Sequence, residues 1–156
     1  MSLSLQDWAN VASVGMGLAA LGALYYAWDQ IRSSRADSHE ATAKSLRSDY
    51  LLQALQYPEL ANPDTSKLDF ANEEYCGTRD KFFDYTWFVS YVLAHCDELL
   101  RLSGDDDWNW EQIVENNISY HWDYIKSPLF ARTEHNVLSP RLRRKIEEID
   151  AKKTAE

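Results

Sequence analysis

Residues 78–102, which read TRDKFFDYTWFVSYVLAHCDELLRL, decide the fold class of this chain. Inside this stretch, residues 85–96 carry no formal charge apart from the ionisable His95. An apolar segment this short cannot cross a bilayer, because Asp84 and Asp97 at its ends would then lie in the hydrocarbon. We therefore predict that the stretch forms a buried central helix.

Large side chains are expected on several sides of this helix. One side is predicted to consist of Phe83, Trp87 and Tyr91, and the other sides of Phe82, Val89, Cys96 and Leu99. Because adjacent helical residues point about 100° apart, His95 and Cys96 cannot converge on one substrate. We expect Cys96 to be a small core residue and not a nucleophile.

Helices are also predicted on both sides of the central one. Residues 30–57 contain no Gly or Pro, and Pro58 is expected to end that helix. Asp105-Asp106-Asp107 suits the positive end of the next helix dipole. That helix carries an apolar stripe of Trp110, Val114, Ile118, Trp122 and Ile125, and Ser127-Pro128 is expected to stop it.

Ser139-Pro140 is predicted to begin a last helix, since Ser suits the N-cap and Pro the first helical position. Its buried face is expected to contain Leu142, Ile146 and Ile149. No segment shows a convincing alternation of period two. The expected fold class is therefore all-α.

The beginning of the chain predicts a membrane anchor. Residues 8–28 contain no charged side chain, and a helix of this length spans roughly 30 Å at about 1.5 Å per residue. Aromatic residues mark its ends: Trp8, Tyr25, Tyr26 and Trp28. A secretory signal peptide is the alternative, but residues 1–7 lack the basic side chains that such a peptide needs.

Flanking charge predicts the orientation of this anchor. No Lys or Arg precedes it, whereas four follow within the next twenty residues: Arg32, Arg35, Lys44 and Arg47. The positive-inside rule then leaves the short N-terminus outside and the rest of the chain in the cytoplasm. We expect an external N-terminus and transmembrane helix over residues 1–28, a stalk over 29–45, a cytoplasmic helical domain over 46–150 and a tail over 151–156.

Small residues are expected to line one face of the anchor. They are spaced by three and four, and they are Ala12, Gly15, Ala19 and Gly22. Small side chains allow two helix backbones to approach closely, and such packing drives helix association in lipid. We expect this face to pack against a second copy of the chain, so that the protein is a homo-oligomer.

Composition and missing motifs exclude several function classes. The net charge of −9 is unfavourable for binding DNA. Two cysteines do not form a disulfide framework, and the histidines and cysteines show no zinc-ligand spacing. The chain contains no hydrolase elbow, phosphate-binding loop, zinc-protease motif or dinucleotide turn. We therefore expect a protein that is not an enzyme and has neither a catalytic residue nor a metal or cofactor.

One candidate ligand site is a polar and aromatic cluster on the helix that follows residue 107. It consists of Asn117, His121 and Tyr124, which share one helical face. Aromatic and amide groups of this kind hold purine bases by stacking and hydrogen bonding. The alternative is that the cluster forms only the polar rim of an amphipathic helix.

A second candidate is the basic start of the last helix, which contains Arg141, Arg143, Arg144 and Lys145. Cations in a first turn are disfavoured by the helix dipole. Free N–H groups and guanidinium groups at one place would bind an anion, such as a nucleotide phosphate, a lipid headgroup or an acidic surface of another subunit. The alternative is a solvated basic face.

The layout and three segments carry a resemblance: LQYPEL at 55–60, YVLAHCDELL at 91–100 and HWDY at 121–124. The chain resembles small, N-terminally anchored bacterial proteins that are catalogued as domains of unknown function. It is also similar in layout to membrane effectors of antiphage defence, including CRISPR type III effectors gated by cyclic oligoadenylate. The resemblance implies a place in the bacterial inner membrane and an anionic nucleotide ligand, and it supplies no catalytic residues.

These observations predict a non-enzymatic, single-pass protein of the inner membrane. Its cytoplasmic helical domain is expected to oligomerise and to act as a sensing or interaction module, in one form as a ligand-gated effector. The alternative is an accessory structural subunit of a larger membrane complex, in which the anchor packs against helices of other subunits.

Overall fold

The computed structural model describes residues 5–102, 108–134 and 137–155, with side chains left out of the description for residues 5–14, 36 and 108. In these ranges the α-helices are α1 (Leu5–Gln56), α2 (Pro58–Ala61), α3 (Arg79–Leu102), α4 (Trp108–Tyr120), α5 (Trp122–Ile125), α6 (Pro128–Thr133) and α7 (Pro140–Ala155). The predicted all-α class is confirmed. The Asp105-Asp106-Asp107 run that was expected to open a helix lies outside the described residues.

Two compact units divide the chain within α1, namely Met1–His39 and Glu40–Glu156. The first unit is helical, and its large apolar side chains from residue 15 onward are exposed: Met16, Leu18, Leu21, Leu24, Tyr25, Tyr26, Trp28 and Ile31. In the part of the chain that the structure describes, no helix combines the length and the apolar character that define a membrane span.

The second unit, hereafter the helical domain, starts earlier than residue 46, where the sequence placed it. Ala43, in the predicted stalk, is buried and belongs to the core. Tyr50, about two helical turns further along α1, is buried too, and its ring stacks on that of His95 with centroids 5.4 Å apart. The last turns of α1 therefore form part of the domain.

Helix α3 is the buried central helix that the sequence predicted. It packs against α2, α4, α7 and the second strand. Its buried residues are Phe82, Tyr85, Phe88, Val89, Val92, Leu93, His95, Cys96, Leu99 and Leu100. These positions recur at spacings of three and four, so one broad face of α3 forms the centre of the core.

One side of α3 differs from the expectation. Phe83, Trp87 and Tyr91, hereafter the aromatic row, are exposed, with 66 % of Phe83 and 70 % of Trp87 accessible to solvent. The three residues are spaced by four, which places them together on the face of α3 away from the core. An apolar sequence on every side of a helix does not reveal which side its neighbours cover.

A short hairpin joins α2 to α3 and has no counterpart in the prediction. A 3-10 turn (Thr65–Lys67) leads into β1 (Leu68–Asp69), which pairs in antiparallel register with β2 (Glu74–Tyr75). Strands of two residues are too short to show a period of two in the sequence. The hydroxyl of Tyr75 donates to the Glu59 carbonyl at 3.0 Å, which ties the hairpin to α2.

The apolar stripe that was predicted from Trp110 to Ile125 is buried or half-buried, as expected. The helix that carries it is interrupted, however, because α4 ends at Tyr120 and His121 adopts φ −110° and ψ 20° before α5 begins. The His121 N–H bonds the Ile118 carbonyl at 3.1 Å, which tightens the last turn of α4. No Gly or Pro marks this break in the sequence.

Two serines cap helices of the C-terminal third. Ser139 Oγ accepts a hydrogen bond from the Leu142 N–H at 3.1 Å, which confirms the predicted start of the last helix. Ser127 was expected to stop a helix, and it also starts one, because its Oγ accepts from the Phe130 N–H at 3.2 Å at the beginning of α6.

Candidate functional site

The structure places the predicted purine-binding cluster inside the core. Asn117, His121 and Tyr124 are all buried, and no part of His121 is accessible. The His121 ring lies against Phe88, with centroids 6.0 Å apart, and its Nδ1 is 3.4 Å from the Tyr85 hydroxyl. A purine would have to displace these core side chains, so the cluster presents no face on which a base can stack.

Several buried polar atoms of the helical domain have no hydrogen-bond partner among the described residues. Among the described residues, no hydrogen bond is made to His95 Nε2, Asn117 Nδ2 or His121 Nε2, although all three atoms are buried. Burial raises the pKa of the nearby Cys96 thiol to about 12. A protonated, fully buried thiol is not a nucleophile, and the prediction that Cys96 is a core residue is confirmed.

The predicted basic cluster is divided among different contacts. Arg141 donates from its guanidinium to the Leu100 carbonyl at the C-terminal end of α3, where a cation is favourable. Lys145 is only 8 % exposed, and its Nζ lies 3.0 Å from a carboxylate oxygen of Glu111 on α4. These tertiary contacts offset the unfavourable position of both cations in the first turns of α7.

The other two basic residues lie between Arg141 and Lys145 in α7 and differ from them in their surroundings. Arg144 is exposed, and Arg143 is half-buried with no hydrogen bond to its Nε among the described residues. Since Arg141 and Lys145 already bind groups of the chain itself, the four side chains do not surround one anion. The sequence placed them together because it does not show which cations other helices will bind.

Of the small-residue face, Gly15, Ala19 and Gly22 are exposed on α1, whereas the side chain of Ala12 is outside the description. A Cβ added at Gly15 or Gly22 meets no atom within 4 Å. The face is therefore open within the single chain, and a close approach by another helix is sterically available.

The sequence did not predict one accessible feature of the helical domain. A groove of about 500 Å³ runs beside the aromatic row of α3, and hereafter it is called the α3 groove. Its apolar lining includes Phe83, Trp87, Leu93, Leu138 and Leu142. Since Trp87 also borders a second groove of about 640 Å³, its indole forms a ridge between two depressions.

Two carboxylates line the α3 groove. Glu134 Oε1 accepts hydrogen bonds from Ser90 Oγ at 2.8 Å and from the Tyr124 hydroxyl at 3.1 Å. Asp97 accepts from the Ser139 hydroxyl. In the described ranges neither carboxylate takes part in an ion pair. The sequence could not bring these groups together, because Asp97 is on α3 and Glu134 follows α6.

Burial and negative charge alter the titration of the tyrosine in this network. Burial, followed by the charge of Glu134, raises the pKa of Tyr124 well above its usual range. The hydroxyl thus stays protonated at neutral pH and keeps donating to Glu134. The network links the accessible groove to the aromatic core, since the Tyr124 ring packs edge-on against Phe130 and Tyr85.

Neither a metal nor a relative assigns a role to this site. Within the described residues, no group of His, Cys, Asp or Glu side chains could hold a metal ion. No protein family, no curated protein and no solved structure matches this chain.

The buried histidine predicts a loss of stability in acid. Burial lowers the pKa of His121 to about 4 from an ordinary value of 6.5. The unfolded chain therefore binds a proton at a higher pH than the folded chain. The contribution of neutral His121 to stability is therefore complete above pH 6.5. As the pH falls towards 4, the free energy of unfolding decreases by about 3 kcal/mol.

We expect His121→Gln to flatten the dependence of the free energy of unfolding on pH between 6.5 and 4, because glutamine does not titrate. Urea denaturation at several pH values, followed by tryptophan fluorescence, measures the slope. The matched control is His39→Gln at an exposed position of α1, which should keep the wild-type slope. Equal slopes for wild type and His121→Gln would contradict the assignment.

Proposed function

We propose that this protein is a non-enzymatic, single-pass membrane protein whose helical domain is an interaction module. The observation that carries the proposal is the exposure of the aromatic row on α3, the helix that is otherwise the most buried. Large exposed apolar patches on folded domains mark interaction surfaces, and Trp and Tyr are frequent anchors of protein interfaces. The partner of this module is therefore a protein.

Membrane attachment is supported by the sequence of α1. Residues 8–28 carry no charge, and Leu18, Leu21 and Leu24 are exposed along the helix. Covering these leucines with lipid or with another helix would be favourable, because it removes apolar surface from water. The proposed location is the bacterial inner membrane, with the N-terminus outside and the helical domain in the cytoplasm, because Lys and Arg follow the segment and none precedes it.

Self-association through the anchor belongs to the proposal. The small-residue face, which contains Ala12, Gly15, Ala19 and Gly22, would bring two anchors into close contact. Dispersion contacts of this kind compensate for a segment with few large apolar side chains. We propose a homo-oligomer that is held together in the membrane, with the helical domains free to bind their partner.

Gating by an anionic nucleotide has less support than docking of a protein. Arg141 and Lys145 are engaged with Leu100 and Glu111, so half of the predicted anion site is already occupied by the chain. The accessory-subunit alternative is compatible with the same docking face, the partner then being another subunit of a membrane complex. Both forms require the aromatic row to be covered in the assembled state.

The membrane proposal predicts the effect of one central charge. An exposed Leu contributes about −0.3 to −0.6 kcal/mol to insertion, whereas a central Arg costs about 2.5 to 3.5 kcal/mol. We expect Leu18→Arg to move the chain from the membrane fraction to the supernatant after carbonate extraction. Leu52→Arg is the matched control, because Leu52 is similarly exposed on the same helix but lies outside the anchor, at 62 % against 66 % for Leu18.

Recovery of the wild-type protein in the supernatant after carbonate extraction would contradict the proposed membrane anchor. The same conclusion would follow if Leu18→Arg stayed in the membrane fraction to the same extent as the control. Either result would leave the proposed docking role of the helical domain to be judged separately.

The small-residue face predicts which substitutions weaken self-association. Gly15→Leu combined with Ala19→Leu should reduce the signal of the α1 anchor in a membrane dimerisation assay several-fold, because leucine side chains keep the backbones apart. The control is Gly17→Leu, which also has open space around it but points to a different face. An unchanged signal for the double variant would reject this face.

Docking through the aromatic row predicts position-specific crosslinks in cells. A photoreactive benzoylphenylalanine in place of Trp87 should give a discrete adduct above the mass of the monomer. The same residue in place of Tyr120 should give none, although Tyr120 is also exposed. Identical patterns at both positions, or no adduct at position 87, would contradict the interaction module, and the mass of the adduct identifies its composition.

A further inference from the structure

We propose that the α3 groove binds a helical segment of a protein partner that carries Arg or Lys beside apolar side chains. The inference rests on the proposed function and names the chemistry of the partner. Three features of the groove support it: the spacing of the residues that line it, its two carboxylates and its exposed aromatic rings.

The spacing along α3 indicates a helical occupant. Five of the α3 residues that line the groove follow one another at spacings of four, three, four and three residues. They are Phe83, Trp87, Ser90, Ala94 and Asp97. An average repeat of 3.5 residues is the seam that a second helix follows when side chains interlock. At about 1.5 Å per residue the seam extends over roughly 20 Å, enough for about four turns of a docked helix.

Side-chain size along the seam supports the same occupant. Ser90 and Ala94 are small and lie between the bulky pair Phe83 and Trp87 on one side and Asp97 on the other. Small residues in the middle of a seam leave holes into which an apolar side chain of a partner helix fits. The floor beneath them is apolar, since it includes Leu93, Leu138 and Leu142.

The charge of the groove indicates a basic partner. Asp97 and Glu134 bring two negative charges into the groove, and the hydroxyl groups that donate to them do not neutralise these charges. Two nearby cations make their direct contacts with other groups, because Arg101 pairs with Glu98 and Arg141 bonds the Leu100 carbonyl; the charge of Arg101 also acts on Asp97 without an ion-pair contact. A guanidinium or ammonium group from a partner would offset the remaining negative charge of the groove.

The aromatic rings at the rim favour the same ligand. Phe83 and Trp87 border the groove and are largely exposed. A cation that passes over the face of an indole gains a favourable electrostatic interaction, which is strongest for tryptophan. A partner segment with apolar side chains would fill the seam. Arg or Lys at the edge of that segment would contact both the aromatic rings and the carboxylates.

A second copy of this chain is the less suitable occupant. Each copy has a net charge of −9, and two α3 grooves that faced each other would bring both pairs of Asp97 and Glu134 carboxylates together. Like charges in apposition oppose association. The basic segment is therefore expected to belong to a different protein.

The experiment uses the full-length protein in nanodiscs of phosphatidylcholine, a lipid without net charge. The probes are two fluorescent amphipathic helical peptides with leucines on one face, one with Arg and the other with Glu on the flanks of that face. Anisotropy titrations, corrected with empty nanodiscs, give the dissociation constants. We expect the Arg peptide to bind at least tenfold more tightly than the Glu peptide and to lose affinity as salt is raised.

Removing the charges of the groove tests the carboxylates directly. Asp97→Asn combined with Glu134→Gln should weaken binding of the Arg peptide at least tenfold. The matched control, Asp123→Asn combined with Glu147→Gln, removes two exposed carboxylates outside the groove and should change affinity less than twofold. Trp87→Ser should weaken binding at least fivefold, and because its side chain is exposed this variant keeps the core intact.

Three results would overturn the inference: equal binding of the Arg and Glu peptides, no binding of the Arg peptide to wild type, or full affinity in the Trp87→Ser variant. A crosslinked adduct at position 87 that contains two copies of this chain would identify the second copy as the occupant and would also overturn it. If the anchor and crosslinking predictions hold while the peptides fail, only the chemistry of the partner is rejected.

Discussion

Burial of one face of α3 against α4 and α7 is the constraint on which the helical domain depends. Val89, Val92, Cys96 and Leu99 are inaccessible on this face, and they meet Val114 and Ile118 of α4 within one continuous core. Side chains of this size each stabilise a fold by about 1.5–3 kcal/mol when they are fully buried. The hairpin, α2 and the last turns of α1 are positioned by their contact with the same helix.

The core also contains polar side chains. His95, Asn117 and His121 are buried, each with one polar atom that forms no hydrogen bond with a described residue. Unsatisfied buried groups of this kind lower stability by about 1–3 kcal/mol each. Aromatic rings surround both histidines, with Tyr50 stacked on His95 and Tyr85 and Phe88 beside His121. Burial lowers the pKa of both histidines and so favours the neutral imidazoles.

Local sequence signals were sufficient for the helices and insufficient for their accessible surfaces. Pro58, Ser139 and the apolar stripe around Ile118 act through neighbouring residues, so their roles could be predicted without knowing the tertiary structure. The exposure of Trp87 depends on which side of α3 is covered. That choice is made by contacts between residues distant in the chain, and no pattern along α3 encodes it.

Candidate binding residues were harder still to predict, because binding depends on what else a side chain touches. Lys145 belongs to a basic run in the sequence, and Glu111 on another helix neutralises it. Glu134 stands alone in the sequence, and Ser90 and Tyr124 bring it into a lined groove. Charge runs therefore overstated one site, and an isolated carboxylate gave no sign of the other.

The two cysteines differ in a way that has a practical consequence. Cys96 is inaccessible, whereas Cys76 is exposed in the turn between the hairpin and α3 and borders the second groove beside Trp87. A maleimide dye added to the native protein would thus attach at one defined position without any engineered mutation. The indole of Trp87 lines the same depression as the attached dye, so that quenching between the two would report on events at this surface in the unmodified sequence.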